Sequence, residues 1–299
     1  MRSPRETRAF VLLTLVTLVW AGLFPTGKVA LRSVPPLTIA AIRMVIGSCL
    51  LRVYLRRDPV GKVDWSPQLV GRFLFLGFTG YFVSTGGSYY GLRQTTVTNA
   101  AVLNAASPAV IALLAAVILK ERLPARTLVG IGLSMLGVGV IITRGSWVVI
   151  AHSQYNPGDL VLLGTMLSWG IYTIYGRQLM RRVSPLAATT YTYMAGALFL
   201  VVGSGLSEWT RWTPRDTTLA SWLAIAYQST LGTLAHFWFY DAVATIGPSR
   251  AGVFLNLVPV MALAIAAVFL HEPLTVPHLV GGAIVIGGII VATRQQRLE

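Results

Sequence analysis

The chain says nearly the same thing twice. Residues Ala105 to Gly139 hold an apolar run with a proline, a short charged break and a glycine-spaced apolar run; Asn256 to Gly288 repeat that order. Pro108 and Pro259 are 259 − 108 = 151 residues apart, and the same offset joins Glu121 to Glu272, Leu123 to Leu274, Gly130 to Gly281 and Gly137 to Gly288. Upstream, Trp20 pairs with Trp169 at 169 − 20 = 149, and that offset also aligns Lys28 with Arg177, Pro36 with Pro185, Leu37 with Leu186 and Gly47 with Gly196. A fixed offset sustained over tens of residues is an internal duplication, and it limits the fold to two similar halves. The halves lie at about 8–145 and 157–294 within one membrane domain spanning 1–299, joined near Ser146 to Asn156.

The solvent of those halves follows from their polarity. Hydrophobic residues make up 55% of the 299 and charged residues 11%, with mean hydropathy +0.68. A water-soluble domain carries about 25% charged residues. This chain cannot cover a water-facing surface of its size, so the bilayer is its solvent. Ten apolar runs are long enough to cross, since a span needs about 20 residues. They lie near 9–31, 37–55, 69–91, 97–119, 125–144, 159–180, 186–206, 218–240, 250–270 and 275–293. Five per half is odd, so the second half enters from the opposite side. The expected fold is all-α and integral to the membrane, with ten helices as two inverted five-helix repeats around a central cavity.

Arg2, Arg5 and Arg8 before the first apolar run resemble a signal peptide, but the run continues to about Ala30 without a small-residue cleavage site, so it reads as a retained span. With the N-terminus inside, seventeen Lys and Arg fall on the cytoplasmic side and five (Arg32, Arg93, Arg144, Arg211 and Arg215) outside. The excess places both termini in the cytoplasm of a bacterial inner membrane. The net charge of +14 does not indicate nucleic acid, because the basic residues sit at the ends of apolar runs. One cysteine, Cys49, excludes an internal disulfide, and four scattered histidines offer no metal site or cofactor anchor.

Here the motifs become specific. Trp20-Ala21-Gly22 with Lys28, then Pro35-Pro36-Leu37 and Arg43, resembles the opening of the EamA-type drug/metabolite transporters. Pro108, Lys120-Glu121-Arg122-Leu123, Gly130 and Gly137 are similar to that family's fourth and fifth helices, and Pro259, Glu272-Pro273-Leu274, Gly281 and Gly288 repeat them. The resemblance covers essentially the whole chain. It implies ten helices in inverted repeats and export of small metabolites or drugs, with the aromatic-rich third and eighth segments most like bacterial amino acid exporters. Thr192 departs from the pattern, standing where Arg43 predicts a second arginine.

Polar groups inside spans are costly unless paired or wet, so they are the candidate site. Arg43 suits a carboxylate ligand or a structural cation bonded to carbonyls. Lys28 supplies positive charge or snorkels to the surface. Pro108 and Pro259 each free a carbonyl four residues back, beside Asn104 and Asn256, where an ammonium or hydroxyl can bind or where the amides tie helices together. Tyr81, Thr85, Ser88 and Tyr89 share one helical face, as do Ser229, Thr233, His236 and Tyr240, and Thr165, Ser168, Tyr172 and Tyr175 beside Trp169. With Trp20 these stripes are expected to wall the cavity with hydroxyls and rings, the alternative being helix-to-helix hydrogen bonding. Glu121 and Glu272, beside Arg122 and His271, suit local pairing at the membrane surface.

No carboxylate lies near the middle of a span, which argues for uncoupled or weakly coupled transport. The glycine-spaced fifth and tenth runs suit scaffold or a weak homodimer contact, the chain otherwise being a monomer. The expected function is export of amino acids and similar small amphiphilic metabolites by alternating access. Multidrug, cationic-compound or nucleotide-sugar transport is the alternative. A membrane-embedded enzyme is distant, because no acid pair or metal set converges. A channel is disfavoured by the internal inverted repeat.

Overall fold

The computed structural model describes residues 4–57, 63, 65–119, 125–146, 155–180, 182–246 and 257–293; the side chains of some helix residues, among them Pro108, Tyr240 and Pro259, also lie outside that set, as does all of Asn256, Glu121 and most of the junction between the halves. Every regular element among these residues is helical. In chain order they are α1 (Pro4–Ala30), α2 (Pro36–Leu55), α3 (Pro67–Gly77), a π-helical segment (Phe78–Gly86), α4 (Gly87–Gln94), α5 (Val97–Ala105), α6 (Ser107–Leu119), α7 (Ala125–Ile142), α8 (Pro157–Leu179), α9 (Pro185–Ser207), α10 (Leu219–Ile246), α11 (Leu257–Phe269) and α12 (Val276–Thr293). Glu6–Ala30, Pro36–Leu55 and Pro185–Ser207 are each long and apolar enough to cross a membrane on their own.

The helix starts follow from local chemistry. Ser66, Asn156 and Ser184 cap α3, α8 and α9 through their side-chain oxygens, each followed by proline at the first turn. Pro35 stands at the cap position of α2 and has no side chain to offer. A remote residue fills the vacancy: Glu208, just past α9, accepts from Leu37 N at 3.1 Å and from Thr38 N and Oγ1 at 2.7 and 2.8 Å. Glu272 does the same for α5, accepting from Val97 N, Thr98 N and Thr98 Oγ1, each at 2.9 Å. The expected pairing of Glu272 with His271 is therefore corrected to a helix cap, because orphan amide donors at a helix N-terminus outbid an exposed side chain for a carboxylate.

Two runs that read as continuous spans are broken. The third changes from α to π geometry at Phe78, and the fourth stops at Ala106 and restarts at Ser107. The second break follows from Pro108, which cannot donate to the Asn104 carbonyl.

Helices pack antiparallel in pairs drawn from opposite halves. α2 lies on α9, α1 on α10, α8 on the π segment and α4, and α7 on α12. Glycines set the closest approaches. A Cβ on Gly137 would meet the Gly281 carbonyl at 2.6 Å, and one on Gly288 would meet the Gly130 carbonyl at 2.6 Å. These four glycines are thus consumed between α7 and α12, and are not free for a dimer contact. Large apolar side chains turn outward, Leu206 being 83% and Phe269 73% exposed, as suits a lipid-facing surface.

Candidate functional site

Where α1, α2, the π segment, α4, α5, α8 and α10 converge, they frame a partly open cavity of about 340 Å³. Nine residues singled out in the sequence line it: Trp20, Arg43, Thr85, Ser88, Tyr89, Asn104, Thr165, Trp169 and His236. Ser84 and Ser107 add further hydroxyls. Trp20 and Trp169 are repeat equivalents, and both stand on this wall. So do Thr85 and His236, which are also equivalent at 236 − 85 = 151.

Arg43 lies about 10 Å along α2, at 1.5 Å per residue from Pro36. It is only 8% exposed, and its Nη1 donates to Tyr89 Oη at 3.3 Å. The Tyr89 hydroxyl in turn donates to Gln228 Oε1, and Gln228 Nε2 donates to Thr26 Oγ1 at 3.1 Å. Gln228 is fully buried, and through it α1, α2, α4 and α10 share one polar relay. The sequence analysis passed over Gln228; its only signal was a lone amide in an apolar run. At the break between α5 and α6, Asn104 is exposed on the cavity wall, and Ser107 Oγ donates to its Oδ1 at 2.7 Å. His236 places Nδ1 at 2.8 Å from the Gly232 carbonyl, and because a carbonyl only accepts, that nitrogen carries the proton.

An arc of rings backs the wall. Trp169 stacks on Tyr172 at 4.9 Å, Tyr172 meets Tyr81 at 5.3 Å, Tyr81 meets Tyr193 at 4.5 Å, and His236 lies 6.0 Å from Tyr193 and 5.0 Å from Trp20. Tyr81 and Tyr172 also join their hydroxyls at 2.9 Å. Here several expectations are corrected. Tyr81 and Tyr172 are buried behind the wall and do not line the cavity. Tyr81 lies inside the π segment, where i→i+5 bonding changes its angle to Thr85 and Tyr89 from that of a continuous α-helix. Thr233 is fully buried against Gly47 and Tyr193. Tyr175 is 39% exposed, with its ring edge on Phe75, away from the cavity. Tyr240 and Asn256 carry sequence expectations that lie outside the described residues.

Lys28 is also displaced from its expected place. Its Nζ donates to the Leu92 carbonyl at 2.8 Å and to the Thr95 carbonyl, stitching the end of α1 to the α4–α5 turn. With Arg32, Arg93 and Glu272 it lines a second pocket of about 270 Å³. Beside it runs a buried polar chain: Thr95 Oγ1 and Asn99 Nδ2 donate to the two Asp159 oxygens, and Asn99 Oδ1 lies 2.7 Å from His278 Nε2. The end of the bundle that holds the α4–α5 turn is thereby tied together by contacts among α1, α4, α5, α8 and α12.

With this geometry in hand, comparison with known proteins is decisive. The EamA-like transporter family model matches residues 7–143 and again 156–294. The chain belongs to the EamA-like transporter family. This EamA-like transporter is 27% identical over 295 residues to the uncharacterized transporter YyaM of Bacillus subtilis, covering 97% of this chain and 94% of that protein. It is 26% identical to a probable terminal-alkyne amino-acid exporter of Streptantibioticus cattleyicolor, covering 97% and 94%. A solved crystal structure shares its fold with a TM-score of 0.65 at 21% identity, covering 98% of this chain and 100% of that one. The EamA-like chain is thus a multi-pass membrane transporter, in keeping with its apolar helices.

Proposed function

We propose that the protein exports amino acids and related small amphiphilic metabolites across the bacterial inner membrane by alternating access. The observation that carries this is the cavity itself: a guanidinium, an exposed amide, hydroxyls and two tryptophans converge in the apolar interior, with volume for a small metabolite. Aromatic faces there suit an apolar side chain or an ammonium. The probable amino-acid exporter among the relatives supports the same substrate class.

Ten spans in two inverted five-helix repeats, with both termini cytoplasmic, form the architecture of this proposal. Its support is the pairing of repeat-equivalent helices. Gly130 meets Gly288 while Gly137 meets Gly281, the reciprocal pattern of a twofold axis between antiparallel copies. In this orientation the hydrogen-bonded Lys28–Asp159 end faces outside, and the halves move against each other about the cavity.

Purified protein in liposomes, tested against a panel of radiolabelled amino acids, decides the matter. Flux of at least one, lost in Tyr89→Ala and Asn104→Ala while both variants elute and melt as folded protein, is the expected result. Unchanged flux in both variants, or none in the wild type, defeats it.

A further inference from the structure

We propose that the cavity selects net charge: it takes a small carboxylate whose ammonium is absent or masked in preference to the zwitterion, and the membrane potential alone expels that anion. The proposal rests on the exporter function above and narrows its substrate.

The Arg43 guanidinium is charged at every accessible pH. Among the described residues its one hydrogen-bond partner is the Tyr89 hydroxyl, a neutral group, and its Nε has no acceptor. Trp20 Nε1, on the same wall, also has none. Two of the buried groups left without a partner here, Arg43 Nε and Trp20 Nε1, can only donate, and one of them belongs to a buried cation, a charge that is costly until an anion meets it.

Among the described residues the protein supplies no such anion there, for no acid lines the cavity. Asp159 is occupied by Thr95 and Asn99, Glu208 and Glu272 by helix N-termini, and Asp216 by Thr213. A zwitterion brings a carboxylate for Arg43 but also an ammonium that meets no acid. A monoanion closes the charge balance.

The second pocket extends the same field. Leu92 lines the cavity with its side chain and holds Lys28 with its carbonyl, so the basic pocket of Lys28, Arg32 and Arg93 lies just beyond it. Glu272 in that pocket has both oxygens engaged by Val97 and Thr98. An anion leaving Arg43 toward this end stays among cations. The other half does not copy the arrangement, since Thr192 replaces the arginine and spends its hydroxyl on the Ala188 carbonyl. Among the described residues no carboxylate lines the cavity, and His236 spends its Nδ1 proton on the Gly232 carbonyl, so the drive in this proposal is the potential, which acts only on a charged cargo.

The test uses full-length protein in liposomes and three probes with one ring: N-acetyl-phenylalanine (anion), phenylalanine (zwitterion) and phenylalanine amide (cation). The expected order of transport is anion, zwitterion, cation. At an inside-positive potential of about 100 mV set by potassium and valinomycin, the anion accumulates toward about fifty-fold, from about 2.3 kcal/mol per charge, while phenylalanine equalises. Arg43→Gln loses the anion preference by about tenfold or more, and Arg43→Lys keeps the order. Preferred transport of phenylalanine, or an anion distribution that ignores the potential, overturns the proposal and leaves the exporter function standing. Movement of none of the three overturns this proposal, while the amino-acid panel above separately decides the exporter function.

Discussion

Ser134 donates its hydroxyl to the carbonyl of Val285 at 3.3 Å, and the two residues are 285 − 134 = 151 apart, the repeat offset. A residue that touches its own counterpart lies on or beside the axis relating the copies. The glycines one turn to either side make the same contact reciprocally, so α7 and α12 cross at the centre of the proposed twofold.

This crossing predicts an asymmetry among glycines. Gly137→Val places a Cβ 2.6 Å from the Gly281 carbonyl, whereas Gly139 has nothing within 4 Å. Gly137→Val should lower unfolding stability by about 1–3 kcal/mol, read as an earlier SDS or thermal midpoint. Gly139→Ala should leave the midpoint unchanged or raise it, since alanine is the better helix former by about 1 kcal/mol.

The Gln228 relay predicts a loss of function without loss of a wall residue. Gln228→Leu removes the acceptor of the Tyr89 hydroxyl and the donor to Thr26. Tyr89 then loses its fixed position beside Arg43. Substrate affinity should fall about tenfold or more, on the order of the 1–3 kcal/mol of a buried polar group left unpaired. Binding measured by scintillation proximity on folded, monodisperse protein checks this.

The two aromatic positions of α8 separate wall from surface. Trp169→Ala should reduce flux strongly, because the indole lines the cavity. Tyr175→Ala should leave initial rates within about twofold, because its ring rests on Phe75 at the periphery. Parallel liposome assays of the two variants distinguish them; equal losses would remove the distinction drawn between these faces.

The remote caps make a fourth prediction. Glu272→Gln leaves a single acceptor oxygen for three donors at the start of α5. The cost should be about 0.5–2 kcal/mol, in the range of other lost helix caps. Glu208→Gln should cost a similar amount at α2, and the double variant should be close to additive because the caps serve separate helices.

The sequence by itself determined that the chain lives in a membrane, that it is duplicated, and which few polar residues in spans were candidates for a cavity wall. Low charge, a fixed offset and isolated polar groups are one-dimensional signals, and Arg43, Tyr89, Asn104, Trp20, Trp169, Thr85 and His236 were legible through them. Tertiary structure alone decided which faces look inward. The π segment changed the angle between Tyr81 and Thr85, a break absent from any helical-period count. Lys28 went to the α4–α5 turn because two carbonyls there lacked donors, and Glu208 and Glu272 went to helix starts in the opposite half. Gln228 entered the site only because α10 packs on α1 and α4. Such roles depend on which unsatisfied groups packing brings within about 3 Å, a distance that spacing along the chain does not encode.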